Sequence, residues 1–196
     1  MTDALLGPLA NALDGTGQLV AAVSADQWDL PTPCSDWTVR QLVNHVVGGN
    51  RLFTRVLKGM PLPPRDQLGR RAAEDQLGDD PAGAYDTSAG ELLAVLRVPG
   101  VLQGTYTVPA ATLPGPAVVH LRTVEALVHG WDLARATGRP TPFPDELAEG
   151  ELAFSRDLLG RLPEGRAPFA AAFPVPDHAP AVDRLAALLG RAQGQV

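Results

Sequence analysis

The chain has almost no cysteine, almost no lysine and few aromatic residues. Its one cysteine, Cys34, excludes an internal disulfide and any cysteine-rich zinc cluster. Fifteen of the 16 basic residues are arginine, with Lys58 the exception. That exchange of ammonium for guanidinium matters physically only at bidentate or stacked sites. A net charge of −6 and an aromatic content of 5% exclude a nucleic-acid binder on both counts, basic patch and stacking platform. The opening residues Met1-Thr2-Asp3 carry no basic region before an apolar run, so no signal peptide is expected. Residues 98–121 contain no Asp, Glu, Lys or Arg. Pro99, Gly100, Gly104, Pro109, Pro114, Gly115 and Pro116 break that stretch too often for a bilayer helix. The expectation is a cytoplasmic protein without a membrane or nucleic-acid partner, and the charge suits a monomer or a homodimer equally.

What is present is enough apolar material for a core. Forty-five percent of the 196 residues are hydrophobic and 19% charged, which excludes wholesale disorder. The length predicts one domain, 1–196, burying roughly 70% of its unfolded surface. Its core is expected over 3–138, with an accessory segment over 139–196. Leu9, Leu13, Thr16, Val20 and Val23 predict a helix over about 8–24, weakened by Gly15 and Gly17. Pro8 is expected in its first turn. Pro31 and Pro33 keep 26–37 out of helix. Thr38 and Gln41 then form a capping box, followed by the apolar face Val39, Leu42, Val43, Val46, Phe53 and Val56. Residues 59–80 read as a long connection, either a lid, a surface wrap or a disordered stretch.

Asp80-Pro81 opens a third helix, lined by Tyr85, Ala89, Leu92 and Leu96. A short strand is expected at Thr105–Val108. Pro116 opens a fourth long helix with Leu121, Val124, Val128 and Trp131 on its apolar side, closed by Gly138. A shorter helix over 145–160, a proline-rich wrap over 162–180 and a terminal helix over 180–191 follow. The sum is an all-α four-helix bundle with accessory C-terminal helices and little or no strand.

Three residues stand out chemically. Glu125 and His129 are four apart on the fourth helix, which puts both on one face with Cβ atoms roughly 5–6 Å apart. His45 lies beside the apolar stripe of the second. If those faces meet, two imidazoles and a carboxylate converge, and with an open fourth position that is the pattern of a catalytic metal site. Glu125 sits between Leu121 and Val128 on the buried side and needs a partner there. A metal supplies one, and so does Arg122.

The residues around these positions resemble a known family. They are Trp28-Asp29-Leu30-Pro31-Thr32-Pro33-Cys34, Trp37-Thr38-Val39-Arg40 and Leu42-Val43-Asn44-His45-Val46. The second block is Glu125-Ala126-Leu127-Val128-His129-Gly130-Trp131-Asp132-Leu133-Ala134 with Thr137-Gly138. Together they resemble the mycothiol-dependent maleylpyruvate isomerase-like metal-binding domain, a member of the DinB-like superfamily of four-helix bundles. The tail, with Leu189-Gly190-Arg191, resembles the ending of an actinobacterial subgroup. The resemblance implies a divalent metal, usually zinc, with Ni2+ or Fe2+ as alternatives, held by His45, Glu125 and His129. It also implies a small-molecule thiol such as mycothiol and an electrophilic substrate. Residues 140–196 are too short and proline-rich for the separate C-terminal domain of the isomerase, so metal and thiol chemistry is expected rather than that one isomerisation.

Other residues carry two readings each. Cys34 is a thiol near a helix N-terminus or a small packing residue. Asp132 is an acceptor orienting an imidazole or a surface charge near Arg135. Arg51, Arg55 and Arg122 are anion-binding candidates or solvated helix surface. Trp131 reads as core. His178 is placed where a wrap can fold over the pocket. His120 stands about 140° round the helix from Glu125 and is not expected to join the site. Three functions compete: a metal- and thiol-dependent transferase or isomerase, a non-catalytic metal- or ligand-binding bundle, and a non-haem iron oxygenase.

Overall fold

The computed structural model describes residues 2–34, 37–109, 111–160 and 171–192. In chain order its helices are α1 (Thr2–Ala21), α2 (Val39–Leu57), α3 (Arg65–Ala73), α4 (Pro81–Leu96), α5 (Gly115–Ala136), α6 (Asp145–Gly160) and α7 (Ala181–Leu188). α1 packs on α5 and α4, and α2 on α4 and α5, which closes a four-helix bundle. α6 and α7 pack on each other and on α5. Between α4 and α5 a two-stranded antiparallel ribbon pairs β1 (Thr105–Thr107) with β2 (Thr112–Pro114), Tyr106 opposite Leu113. The expected strand is there. Its partner was hidden in a segment that reads as turn. Among the described residues no helix is long and apolar enough to cross a membrane.

α5 is the central element. From Arg122 to Ala134 every residue except Glu125 is buried, so the helix is covered on all sides rather than along one stripe. It ends in a Schellman motif: Gly138 takes φ +66°, its N–H donates to the Arg135 carbonyl and the Arg139 N–H donates to the Ala134 carbonyl. Only glycine adopts that backbone without strain.

Two expectations fail at the level of boundaries. α1 begins at Thr2, so Pro8 lies in its second turn rather than its first. Pro8 has no N–H to offer the Ala4 carbonyl. Burial of Leu6 together with Leu9 extends the apolar stripe back through it. The 59–80 connection holds α3, a helix without an apolar stripe, and the segment after it is tied down. Asn44 Nδ2 donates to the Glu74 carbonyl at 3.0 Å, and the Gln76 N–H donates to Asn44 Oδ1 at 2.7 Å. Of the three roles left open, it is a surface wrap on α2. The first part of the 162–180 segment lies outside the described residues.

Gly15, one of the two glycines that weaken α1 on propensity, makes room for packing, as does Gly130 on α5. A Cβ on Gly15 would lie 2.8 Å from Phe143 Cε1, and one on Gly130 would lie 2.5 Å from Phe143 Cζ and 2.7 Å from Thr16 Oγ1. The Phe143 ring therefore sits over two glycines where α1 and α5 meet. Thr16 Oγ1 donates to the Ala126 carbonyl at 2.9 Å in the same contact. Gly130→Ala is expected to destabilise the fold by about 1–3 kcal/mol through overpacking, measured by urea unfolding. A neutral Gly130→Ala would show that the contact relaxes freely.

Candidate metal centre

α2 is started by its own loop. The Gln41 N–H donates to Thr38 Oγ1 at 3.4 Å and the Thr38 N–H to Gln41 Oε1 at 2.9 Å, the expected capping box. Two further N–H groups of the first turn are taken by the proline-rich segment, Val39 by the Leu30 carbonyl and Arg40 by the Trp28 carbonyl. Proline suits that segment, because the accepting carbonyls belong to Trp28 and Leu30 and the N–H groups that Pro31 and Pro33 lack are not called on. The Thr32 N–H closes the loop on the Trp37 carbonyl at 3.1 Å. The loop thus holds the Trp37 ring against His45, with centroids 4.4 Å apart.

His45 on α2 meets Glu125 and His129 on α5. Glu125 Oε2 lies 3.5 Å from His45 Nε2 and 3.4 Å from His129 Nε2. The two imidazoles stand edge to face at 5.1 Å, and the three ligand-type atoms all fall within 4.8 Å of one another. His129 is buried while Glu125 and His45 are half-buried, so the cluster opens on the His45 side. Two cavities begin there, of about 570 and 380 Å³, both walled by Asn44 and His45. Trp37, Arg40 and Asp75 line the larger, and Gly49, Arg51 and Arg55 the smaller.

Charge organises the cluster. Burial pushes the Glu125 carboxyl up, but His129 and His45, with Arg122 behind them, prevail and hold it well below the usual carboxylate range. Burial lowers His45, and its contact with Glu125 only partly offsets this. Burial also lowers His129, yet the carboxylates of Asp132 and Glu125 more than compensate and its value is raised.

Asp132 is fully buried, with Oδ2 3.1 Å from His129 Nδ1. A carboxylate only accepts, so Nδ1 carries the proton and Nε2 is the atom turned to Glu125. Of its two readings Asp132 is the orienting acceptor. Arg135 instead donates to Asp183 Oδ1 at 2.9 Å and covers the face of Trp131, a core residue that also donates to Asp183. Cys34 is half-buried, and its Sγ lies 3.7 Å from Arg191 Nη2. Cys34, His129 and Asp132 form a second group within 4.8 Å.

Arg122 is buried and donates from Nη2 to Asn50 Oδ1 at 2.8 Å, with Nη1 3.9 Å from Glu125 Oε2. Arg51 is engaged by Gln76, and Arg55 is exposed. His178 is exposed and belongs to neither group. His120 points away, as its angle on the helix predicts. It pairs with Glu151 at 3.0 Å and stacks on Phe154 at 4.7 Å.

The Glu151 carboxylate raises the value of His120 above its ordinary 6.5. A histidine raised by folding stabilises fully below its unfolded value and loses that contribution as pH climbs through the folded one. The His120 ring resonances are therefore expected to titrate above 6.5, returning toward it in Glu151→Gln. Proton NMR of the ring checks this, and a midpoint at or below the ordinary value would refute it.

Sequence reasoning missed Trp37 as a wall of the site and Arg191 as the partner of Asp132. Trp37 lay inside the quoted motif. Gly190 after an apolar helix marks a turn, but no local pattern says where the next side chain lands.

Residues 9–134 match the family of the mycothiol maleylpyruvate isomerase N-terminal domain. An uncharacterised protein of Mycobacterium tuberculosis is 39% identical over 183 residues, covering 92% of this chain and 93% of that protein. A second uncharacterised protein of that organism is 26% identical over 154 residues, 68% of this chain and 56% of its own length. The crystal structure of mycothiol-dependent maleylpyruvate isomerase superposes with a TM-score of 0.63 at 15% identity, covering 78% of this chain and 68% of that one. A point mutant of the same enzyme gives 0.66 at 14% identity with the same coverage. At these identities the structures show the shared fold. With a match over most of its length, the chain belongs to the mycothiol maleylpyruvate isomerase N-terminal domain family.

Proposed function

We propose that the chain is a divalent-metal protein in which His45, Glu125 and His129 hold the ion. In this reading it serves a low-molecular-weight thiol, mycothiol in the first instance, in a transferase or isomerase reaction on a small electrophile. The supporting observation is a pair of distances. Separations of 3.4 and 3.5 Å between Glu125 Oε2 and the two Nε2 atoms are long for hydrogen bonds. They match the edge of a tetrahedron with bonds of about 2.0–2.1 Å, which is roughly 3.3–3.4 Å. Two imidazole nitrogens and one carboxylate oxygen suit zinc first, with Ni2+ and Fe2+ also fitting the donors.

A divalent cation bound there favours thiolate over thiol, and thiolate is the nucleophile. The chain's own residues do the rest. Asp132 keeps the His129 proton on Nδ1, which leaves the Nε2 lone pair to bind the ion. Glu125 stays ionised beside Arg122. Trp37 packs on the His45 ring and holds it in place. Asn44 and His45 wall both cavities, so each offers an approach to the His45 side of the cluster. Arg51 and Arg55 give the smaller one positive charge for an anionic end of the substrate. Family membership supports a thiol of the mycothiol type.

The test is metal content by plasma mass spectrometry on protein purified without chelator, then turnover of the loaded protein with mycothiol and maleylpyruvate or other electrophiles. About one equivalent of metal with thiol consumption supports the reading. Metal without turnover across the electrophiles leaves a binding bundle and overturns the enzyme. Absence of metal even after reloading overturns the site.

A further inference from the structure

The tail motif Leu189-Gly190-Arg191 has no part in the three-residue cluster, yet the fold spends a glycine to aim it inward. α7 ends in a Schellman motif. Gly190 takes φ +83°, its N–H donates to the Ala187 carbonyl and the Arg191 N–H donates to the Ala186 carbonyl at 3.0 Å. This reverses the chain and turns the Arg191 side chain back toward α5. Its guanidinium then meets Asp132 along one edge, Nη2 at 3.1 Å from Oδ2 and Nε at 3.4 Å from Oδ1. Nη1 donates to the Leu189 carbonyl at 3.0 Å, and Nη2 also reaches Cys34 Sγ.

We infer that Arg191 is a positioning residue for the metal centre, acting through Asp132 on His129. The inference rests on the metal reading above. Asp132 is buried beyond reach of water, so its ionised form needs a compensating charge. A planar fork supplies it and fixes the carboxylate's plane at the same time. Oδ2 serves both partners, so the direction in which Asp132 accepts from His129 Nδ1 is set by the guanidinium. That contact orients the imidazole whose Nε2 faces Glu125. The same geometry settles what the second group is for. Cys34 and Asp132 of that group already contact a cation, the guanidinium, lodged where another metal would compete with it. One arginine joins the loop ahead of α2, the last turns of α5 and the end of α7.

The test uses cobalt(II) as a spectroscopic probe and measures its affinity by competition with a chromophoric chelator. The samples are the wild type, Arg191→Gln, Asp132→Asn and the double variant, each held well below its melting temperature. Arg191→Gln is expected to lower cobalt affinity by roughly 10–100-fold, as loss of an outer partner does, and to change the visible bands of the bound ion. The double variant is expected to lose no more than Asp132→Asn alone, because the arginine acts through the carboxylate. Arg191→Lys, which keeps the charge without the fork, covers the case in which the glutamine variant does not fold, and its affinity is expected to fall in the same direction. Wild-type affinity and spectrum in a folded Arg191 variant would overturn the inference, as would losses that simply add. A wild type that takes up no cobalt would instead overturn the metal site itself.

Discussion

Alanine in place of His45, Glu125 or His129 is expected to abolish stoichiometric metal binding, with a larger loss of affinity than the roughly 10–100-fold that an outer partner contributes. The ranking follows from geometry. Each of the three supplies one atom to a cluster spanning less than 4.8 Å, and no other described carboxylate or imidazole reaches that cluster to substitute. Asp132 touches only the far nitrogen of His129, so its loss misorients a ligand without removing it. The consequence is visible in stability as well. A ligand at one hundred times its Kd adds about 2.7 kcal/mol to the native state. For a chain of this size that is a rise of roughly 5–11 °C in melting temperature. Zinc is expected to raise the wild type by that much and the three alanine variants by almost nothing. Scanning calorimetry with zinc and with chelator reads both. An unchanged zinc response in any one variant removes that residue from the ligand set.

How far the site was legible in the sequence depends on how local its geometry is. Glu125 and His129 could be paired from spacing alone, because a helix makes residues four apart into neighbours. His45 could be joined to them only on the condition that its face of α2 meets α5, which nothing local fixes and which the resemblance implied. Asp132 shared the face of His129, but spacing left it equally able to pair with Arg135. Burial decided that, and burial is set by α7 lying over the end of α5. Arg191 was out of reach because its partner is 59 positions away. The fold followed the same rule. The capping box at Thr38 and the glycine stop at Gly138 are local chemistry and were readable. Pro8 inside α1 was not, because tertiary burial of Leu6 and Leu9 outweighs one missing hydrogen bond. Gly15 looked like a defect in α1 until Phe143, more than a hundred residues on, is seen to need the space.

Glu125→Ala is expected to do something His45→Ala does not: unfold more easily even with chelator present, by about 3–5 kcal/mol. Arg122 is 2% exposed. Its neutral partner is Asn50, its guanidinium lies 4.8 Å above the Phe53 ring, and its Nε has no hydrogen-bond partner. Glu125 is the carboxylate facing it, at 3.9 Å. Taking Glu125 away strands a buried cation, which is costlier than losing a contact between solvated charges. His45 is half-buried and neutral in the form that binds metal, so His45→Ala strands nothing. The ion pair can be isolated by a cycle. Arg122→Met removes the charge at similar volume but leaves Asn50 Oδ1 without its donor, a cost of about 1–3 kcal/mol. Added to Glu125→Ala, it is expected to restore part of the lost stability rather than lower it further, because the stranded cation is gone. Urea unfolding of the four proteins in chelator measures this. Additive losses would mean that Glu125 and Arg122 are not coupled, and that Glu125 is kept ionised by the histidines alone. Recovery would mean that the carboxylate is held in its charged form from behind as well, so that its charge does not depend on the two imidazoles alone.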